Sequence, residues 1–148
     1  REPMLQYLVK HFGEYSSVTF PESENIVPDA DGIGMEVDPL AGLLPEGYFL
    51  SQTIQLGDYG TRWIYSDGSV GYISYHVQPE TGFIDFDNEE TNIYSELQMN
   101  GHEAIAVQSN HLYIVWFDDA SGLLHELESA TLDYAQLFEI ATTLSHPN

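Results

Sequence analysis

Short strand-like runs at even spacing, punctuated by turn signals such as Asp-Gly and Asn-Gly pairs, fill the chain from Leu44 to Ser129 and constrain its fold most. Such pairs accept positive φ, which two-residue hairpins demand. The strand candidates are Tyr48–Leu56, Thr61–Ser66, Val70–Val77, Gly82–Phe86, Asn92–Gln98, Glu103–Gln108, Leu112–Asp118 and Leu123–Ser129. Turn signals lie between them at Gly57-Asp58, Asp67-Gly68, Asn100-Gly101, Ser109-Asn110 and Ser121-Gly122. Short strands at even spacing predict an antiparallel sheet of about eight strands, or a partly closed barrel.

After Ser129 the apolar period lengthens to that of a helix. Asp133 suits an N-cap, and Gln136 three residues on can return the hydrogen bond, as in a capping box. Leu137, Phe138, Ile140, Ala141 and Leu144 then form a broad apolar face that should lie across the sheet. A second helix is expected at the N-terminus, where Met4, Leu5, Leu8, Val9 and Phe12 keep helical spacing behind Glu2 and Pro3, with Gly13 as its stop. Between Glu14 and Leu44, Pro, Gly, Asp and Glu prevail, which reads as a long ordered excursion or a linker.

The expected fold class is therefore α+β: a curved antiparallel sheet with an N-terminal and a C-terminal helix packed on one face. Residues 1–43 are read as the N-terminal helix and an acidic connector on the sheet, and residues 44–148 as a meander closed by the C-terminal helix. Together they make one structural domain, since 148 residues suffice to bury roughly 68–70% of the unfolded surface.

Alternation assigns side chains to faces. Leu112, Ile114 and Trp116 oppose His111, Tyr113, Val115 and Phe117, while Thr61, Trp63 and Tyr65 oppose Arg62, Ile64 and Ser66. Tyr72, Ser74 and His76 oppose Ile73, Tyr75 and Val77. Both faces are substantially apolar, so either the N-terminal segment covers the second face or that face lines a cavity; layered packing makes covering the commoner solution. A cavity would be lined by Trp63, Tyr65, Tyr72 and Tyr113, with Arg62 as its basic anchor.

Charge sets the outer limits on partners. Three basic residues, Arg1, Lys10 and Arg62, face 24 carboxylates, for a formal net charge of −21. That field repels nucleic-acid phosphates and anionic lipid and favours cations and basic surfaces, within a screening length of about 8 Å at physiological salt. Solubility alone also accounts for it. The chain has no cysteine, which fits the cytosol or a disulfide-free exported protein equally well. No apolar run is long enough to span a membrane, and no leader sequence is legible; a start at Arg1 fits a processed product or a truncated piece.

Catalytic signatures are missing from the sequence. GxSxG, Walker, GxGxxG and cysteine-nucleophile patterns do not occur, and with so many acids a carboxylate pair proves nothing. His125-Glu126 begins like HExxH, but Ser129 holds the fifth place on a strand. His102 and His111 are candidates to face each other across a hairpin, and solvated or hydrogen-bonded histidine is the simpler account. Calcium has two candidate loops. Asp29-Ala30-Asp31-Gly32 with Glu36 shares the D-x-D-G opening of a calcium loop but lacks its third acid and its EF-hand spacing. The other is Asp85-Phe86-Asp87-Asn88-Glu89-Glu90, and a solvated turn explains either. No other cofactor is expected.

The segment from Leu44 to Leu144 resembles the bacterial family called domain of unknown function 4367. The residues that carry the resemblance are Leu44-Pro45-Glu46-Gly47-Tyr48, Asn100-Gly101-His102-Glu103-Ala104, Val115-Trp116-Phe117, Gly122 and the helix Leu132-Asp133-Tyr134-Ala135-Gln136-Leu137-Phe138-Glu139-Ile140-Ala141. Asp133 replaces the usual capping Ser, and Tyr134-Ala135 replace charged residues. The resemblance implies an extracytoplasmic domain of Gram-positive bacteria, following a membrane helix in anti-sigma-factor-like proteins or occurring in lipoproteins. It also implies a fold similar to the half-barrel of lipoprotein carriers, and it brings no catalytic residues.

The expectation is thus a non-enzymatic, extracytoplasmic sensor or binding domain, tethered to the cell surface, that meets a protein, peptide or lipid-like ligand on its aromatic face. Two rivals remain: an acidic inhibitor or immunity-type protein that blocks a basic enzyme, and a hydrolase with dispersed carboxylates, one of them in a cleft with a raised pKa.

Overall fold

The computed structural model describes residues 27–28, 37–79 and 93–146. Seven strands of six to eight residues form an open, curved antiparallel sheet: β2 (Phe49–Gln55), β3 (Thr61–Ser66), β4 (Tyr72–Pro79), β5 (Ile93–Met99), β6 (His102–Gln108), β7 (Leu112–Asp118) and β8 (Leu123–Ser129). A two-residue segment, β1 (Val27–Pro28), pairs with the outer side of β2. Among the described residues one α-helix, α1 (Tyr134–Leu144), follows the last strand. The strand candidate Gly82–Phe86 and the N-terminal helix candidate lie outside the described residues, so the seven long strands and α1 are the architecture established here.

The meander is interrupted once. Strand order is β1-β2-β3-β4-β8-β7-β6-β5, so β4 pairs with β8 rather than β5. Two antiparallel runs, β2-β3-β4 and β5-β6-β7-β8, are thereby joined through the last strand of each.

Local sequence explains most of the turns. Asn100 (φ 52°) and Gly101 (φ 86°) both adopt positive φ, as a tight hairpin between β5 and β6 requires. Asp67-Gly68 does not form the expected two-residue turn. Ser66 pairs with Tyr72, leaving residues 67–71 as a longer loop, in which the Asp67 carboxylate accepts from the backbone N–H groups of Ser69 and Gly71, both at 2.8 Å. Gly60 is required for space: with φ 81°, a Cβ there would sit 1.9 Å from the Val77 carbonyl oxygen.

The C-terminal helix begins as its sequence predicts. Gln136 N–H donates to Asp133 Oδ1 (2.9 Å), and Asp133 N–H donates to Gln136 Oε1 (3.0 Å), a complete capping box. Leu137, Ile140 and Ala141 are buried against a sheet face built from Tyr65, Ile73, Tyr75, Leu112, Ile114, Trp116 and Leu127. Asn100 fastens the far end, donating from Nδ2 to the Thr142 carbonyl (2.8 Å) and to Ser145 Oγ (3.0 Å). Leu40 is fully buried in the same core, and Asp38 Oδ1 accepts from the Tyr65 hydroxyl (2.8 Å), so residues 38–44 pack on this face too. The opposite face is also buried, around Ile105, Val107, Tyr113, Val115, Phe117 and Leu124. Among the described residues no helix is long and apolar enough to cross a membrane.

Candidate functional site

Register decides which polar groups meet. Arg62 pairs with His76, His76 with Glu126, and Ser74 with Glu128, so β3, β4 and β8 bring these side chains onto the face away from α1. Arg62 is 16% exposed and lies 3.7 Å from both Glu126 Oε1 and Glu128 Oε1. Its Nη1 donates to Ser74 Oγ at 3.0 Å, and its Nη2 to His76 Nδ1 at 3.4 Å. His76 Nε2 donates to the Tyr59 carbonyl (2.6 Å), which fits the Nε2-protonated tautomer with Nδ1 as the acceptor from Arg62. His111 Nδ1 donates to Glu128 Oε2 at 2.6 Å, a short bond to a carboxylate acceptor.

This cluster holds two carboxylates against one guanidinium, and its electrostatics follow. Burial pushes the Glu128 carboxyl up, and the neighbouring Glu126 charge adds to it; His111 and Arg62 pull the other way without cancelling the rise. Glu126 is 2% exposed, and its Oε2 is buried without a hydrogen-bond partner. Among the described residues no group of three or more His, Cys, Asp or Glu side chains is arranged to hold a metal ion.

The helix-side face carries an aromatic chain. Trp63 stacks on Tyr75 (centroids 5.5 Å apart), and His125 lies parallel to Trp116 at 5.0 Å and stacked on Tyr75 at 6.0 Å. The Tyr75 hydroxyl bonds His125 Nδ1 at 2.8 Å. Burial depresses His125 to about 4 and raises the Tyr75 phenol above its ordinary value.

Among the described residues, α1 borders an open cavity on each of two sides. The first, about 360 Å³, lies between Gly42–Pro45 and the helix residues Gln136, Glu139, Ile140 and Thr143. The second, about 320 Å³, is lined by Ile93, Ser95, Ala106, Gln108, Leu112 and Tyr134 and has the more apolar wall. It opens where α1 packs over β7 and β8, and it leaves Ile93 62% and Tyr134 41% exposed.

The sequence-expected lining residues divide between the two faces. Arg62, Tyr72 and Tyr113 share the ionic face, with His111 between the two tyrosines at centroid distances of 5.8 and 6.4 Å. Trp63 and Tyr65 belong to the helix-side core. A sheet separates the two sets, so the five do not line one cavity. Arg62 is held by internal carboxylates rather than presented as an anchor. The calcium candidates Asp29, Asp31 and Glu36 lie outside the described residues, as does the loop from Asp85 to Glu90.

His102 and His111 do not meet. His102 opens β6 and bonds the Ser145 carbonyl (3.2 Å), whereas His111 lies beside the other end of that hairpin. Sequence reasoning missed His76, Glu126 and Glu128 as partners of Arg62. Alternation alone contains their faces, but only the β4–β8 pairing brings them together. Comparison with family models, with curated proteins and with solved structures returns no match for the chain.

Proposed function

We propose that this chain is a non-enzymatic binding domain, an extracytoplasmic sensor or ligand-binding module of a membrane-anchored bacterial protein, that takes a protein, peptide or lipid-like ligand. The observation that carries the binding reading is the apolar groove between β5 and the start of α1, with Ile93 and Tyr134 exposed at its mouth. Apolar surface kept open beside a packed core is characteristic of interaction sites. The extracytoplasmic, tethered setting and the likeness to the half-barrel of lipoprotein carriers come from the resemblance of Leu44 to Leu144 to the domain of unknown function 4367. An open curved sheet with a helix on one face is compatible with both.

The ionic cluster speaks for a structural role rather than a reactive one. Glu128 has the raised pKa that a dispersed-acid hydrolase needs, yet its side chain is 9% exposed and it lines neither cavity described above. The groove is tested by NMR titration of the labelled chain with a set of short apolar peptides. Shifts should gather at Ile93, Ala106, Leu112 and Tyr134, and the paired substitutions Ile93→Ser and Tyr134→Ser should abolish them with the melting temperature held. Shifts confined to the ionic face, or none, would refute the assignment.

A further inference from the structure

We propose that β5 accepts an extended, Lys- or Arg-bearing segment of a partner protein as an added strand, an inference that rests on the groove reading above. Among the described residues β5 ends the strand order. Its Ile93, Ser95, Glu96 and Gln98 are exposed on both faces, while Ala104–Val107 of the adjacent strand are buried. Odd-numbered side chains of β5 lie on the helix side, where Ile93 and Ser95 line the groove. Even-numbered ones lie on the other side, with Glu96 at the centre of the seven-residue strand, opposite fully buried Ile105.

A strand laid along β5 would therefore place alternate side chains in two environments. Those on the helix side enter an apolar groove, and the central one on the other side meets Glu96. Strand addition uses main-chain bonds for affinity and alternate side-chain pockets for specificity. Charge decides the occupant. The chain carries −21, and Arg62, the one Lys or Arg among the described residues, is engaged by Glu126 and Glu128. A second copy is disfavoured, because two-fold pairing centred on β5 sets Glu96 against Glu96, and like charges directly opposed destabilise a sheet. A basic residue opposite Glu96 is attracted instead, and the acidic field speeds its approach.

The test uses the full chain and two capped peptides that alternate Val with Thr, one with Lys at its centre and one with Glu. The Lys peptide should slow amide exchange along Ile93–Met99, shift Ala106 and Tyr134, and bind roughly tenfold more tightly than the Glu peptide. Glu96→Lys, a change at an exposed site, should reverse that order. Shifts at Leu112 and Tyr134 without protection of β5 would overturn strand addition while leaving the groove reading in place. No response at the groove from either peptide would defeat both. Equal affinities, or an order that Glu96→Lys does not reverse, would remove the charge rule. A dimer of the free chain joined through β5 would make a second copy the occupant and overturn the proposal.

Discussion

Replacing Arg62 with leucine removes the cation that faces both Glu126 and Glu128 and leaves their charges in a buried site. At 3.7 Å and an effective dielectric of about 20, each contact is worth about 4.5 kcal/mol before desolvation is counted. Most of that gross attraction is offset by desolvation, and removing one partner of a buried ion pair typically costs about 3–5 kcal/mol. For a domain of this size that is a drop in melting temperature of about 10–20 °C.

The loss should also depend on pH, with a definite sign. The folded-state pKa of Glu128 is raised, by burial first and Glu126 second, so its contribution to stability is complete below its ordinary pKa and is lost as pH rises through the folded value. Arg62 is one of the groups holding that pKa down, and without it the carboxyl rises further. The deficit of Arg62→Leu relative to the parent should therefore be largest near pH 8 and shrink towards about pH 4. Urea denaturation of both proteins at those two pH values measures it. A deficit below about 1 kcal/mol, or one equal at both pH values, would show that water already screens the cluster.

Two further outcomes follow from local geometry. Asp133→Ala removes the carboxylate that accepts from Gln136 N–H, leaving only the Asp133 N–H to Gln136 half of the capping box, and should cost about 1 kcal/mol, whereas Asp133→Asn keeps an acceptor and should lose much less; equal losses in chemical denaturation would refute the cap as the cause. His125, depressed chiefly by burial, should titrate near 4 when its ring is followed by NMR, and a midpoint close to the ordinary 6.5 would contradict the buried stack. Its uncharged form contributes stability that is complete above about pH 6.5 and lost as pH falls towards about 4, at most about 3 kcal/mol, and His125→Phe should remove that slope.

The parts of this fold that were legible in the sequence are those written locally. Asn100-Gly101 carries its own hairpin geometry, Asp133 and Gln136 lie three residues apart, and Leu112 to Asp118 alternates cleanly between faces. Asp67-Gly68 misled because the carboxylate of Asp67 can organise a longer loop as readily as glycine can permit a tight one. The groove was hidden for another reason. Ile93 and Tyr134 read as ordinary members of a strand and a helix start, and only the position of α1 over β7 and β8 leaves them open.

The ionic cluster shows why a pattern can be correct residue by residue and still conceal a site. Arg62 and His76 are 14 residues apart, but His76 and Glu126 are brought together by pairing between strands that are not consecutive. No local periodicity encodes that partner. Once β4 pairs with β8, the face away from α1 divides in two: charged and hydrogen-bonded across β3, β4 and β8, apolar across β6 and β7. Glu126 marks the border, with His76 on one side and Val115 on the other. Its partnerless Oε2 is thus the consequence of a carboxylate set where polar rows give way to apolar ones. A centre buried on both faces has little surface to offer a ligand, which is why the proposed binding is assigned to the groove and to the strand beside it.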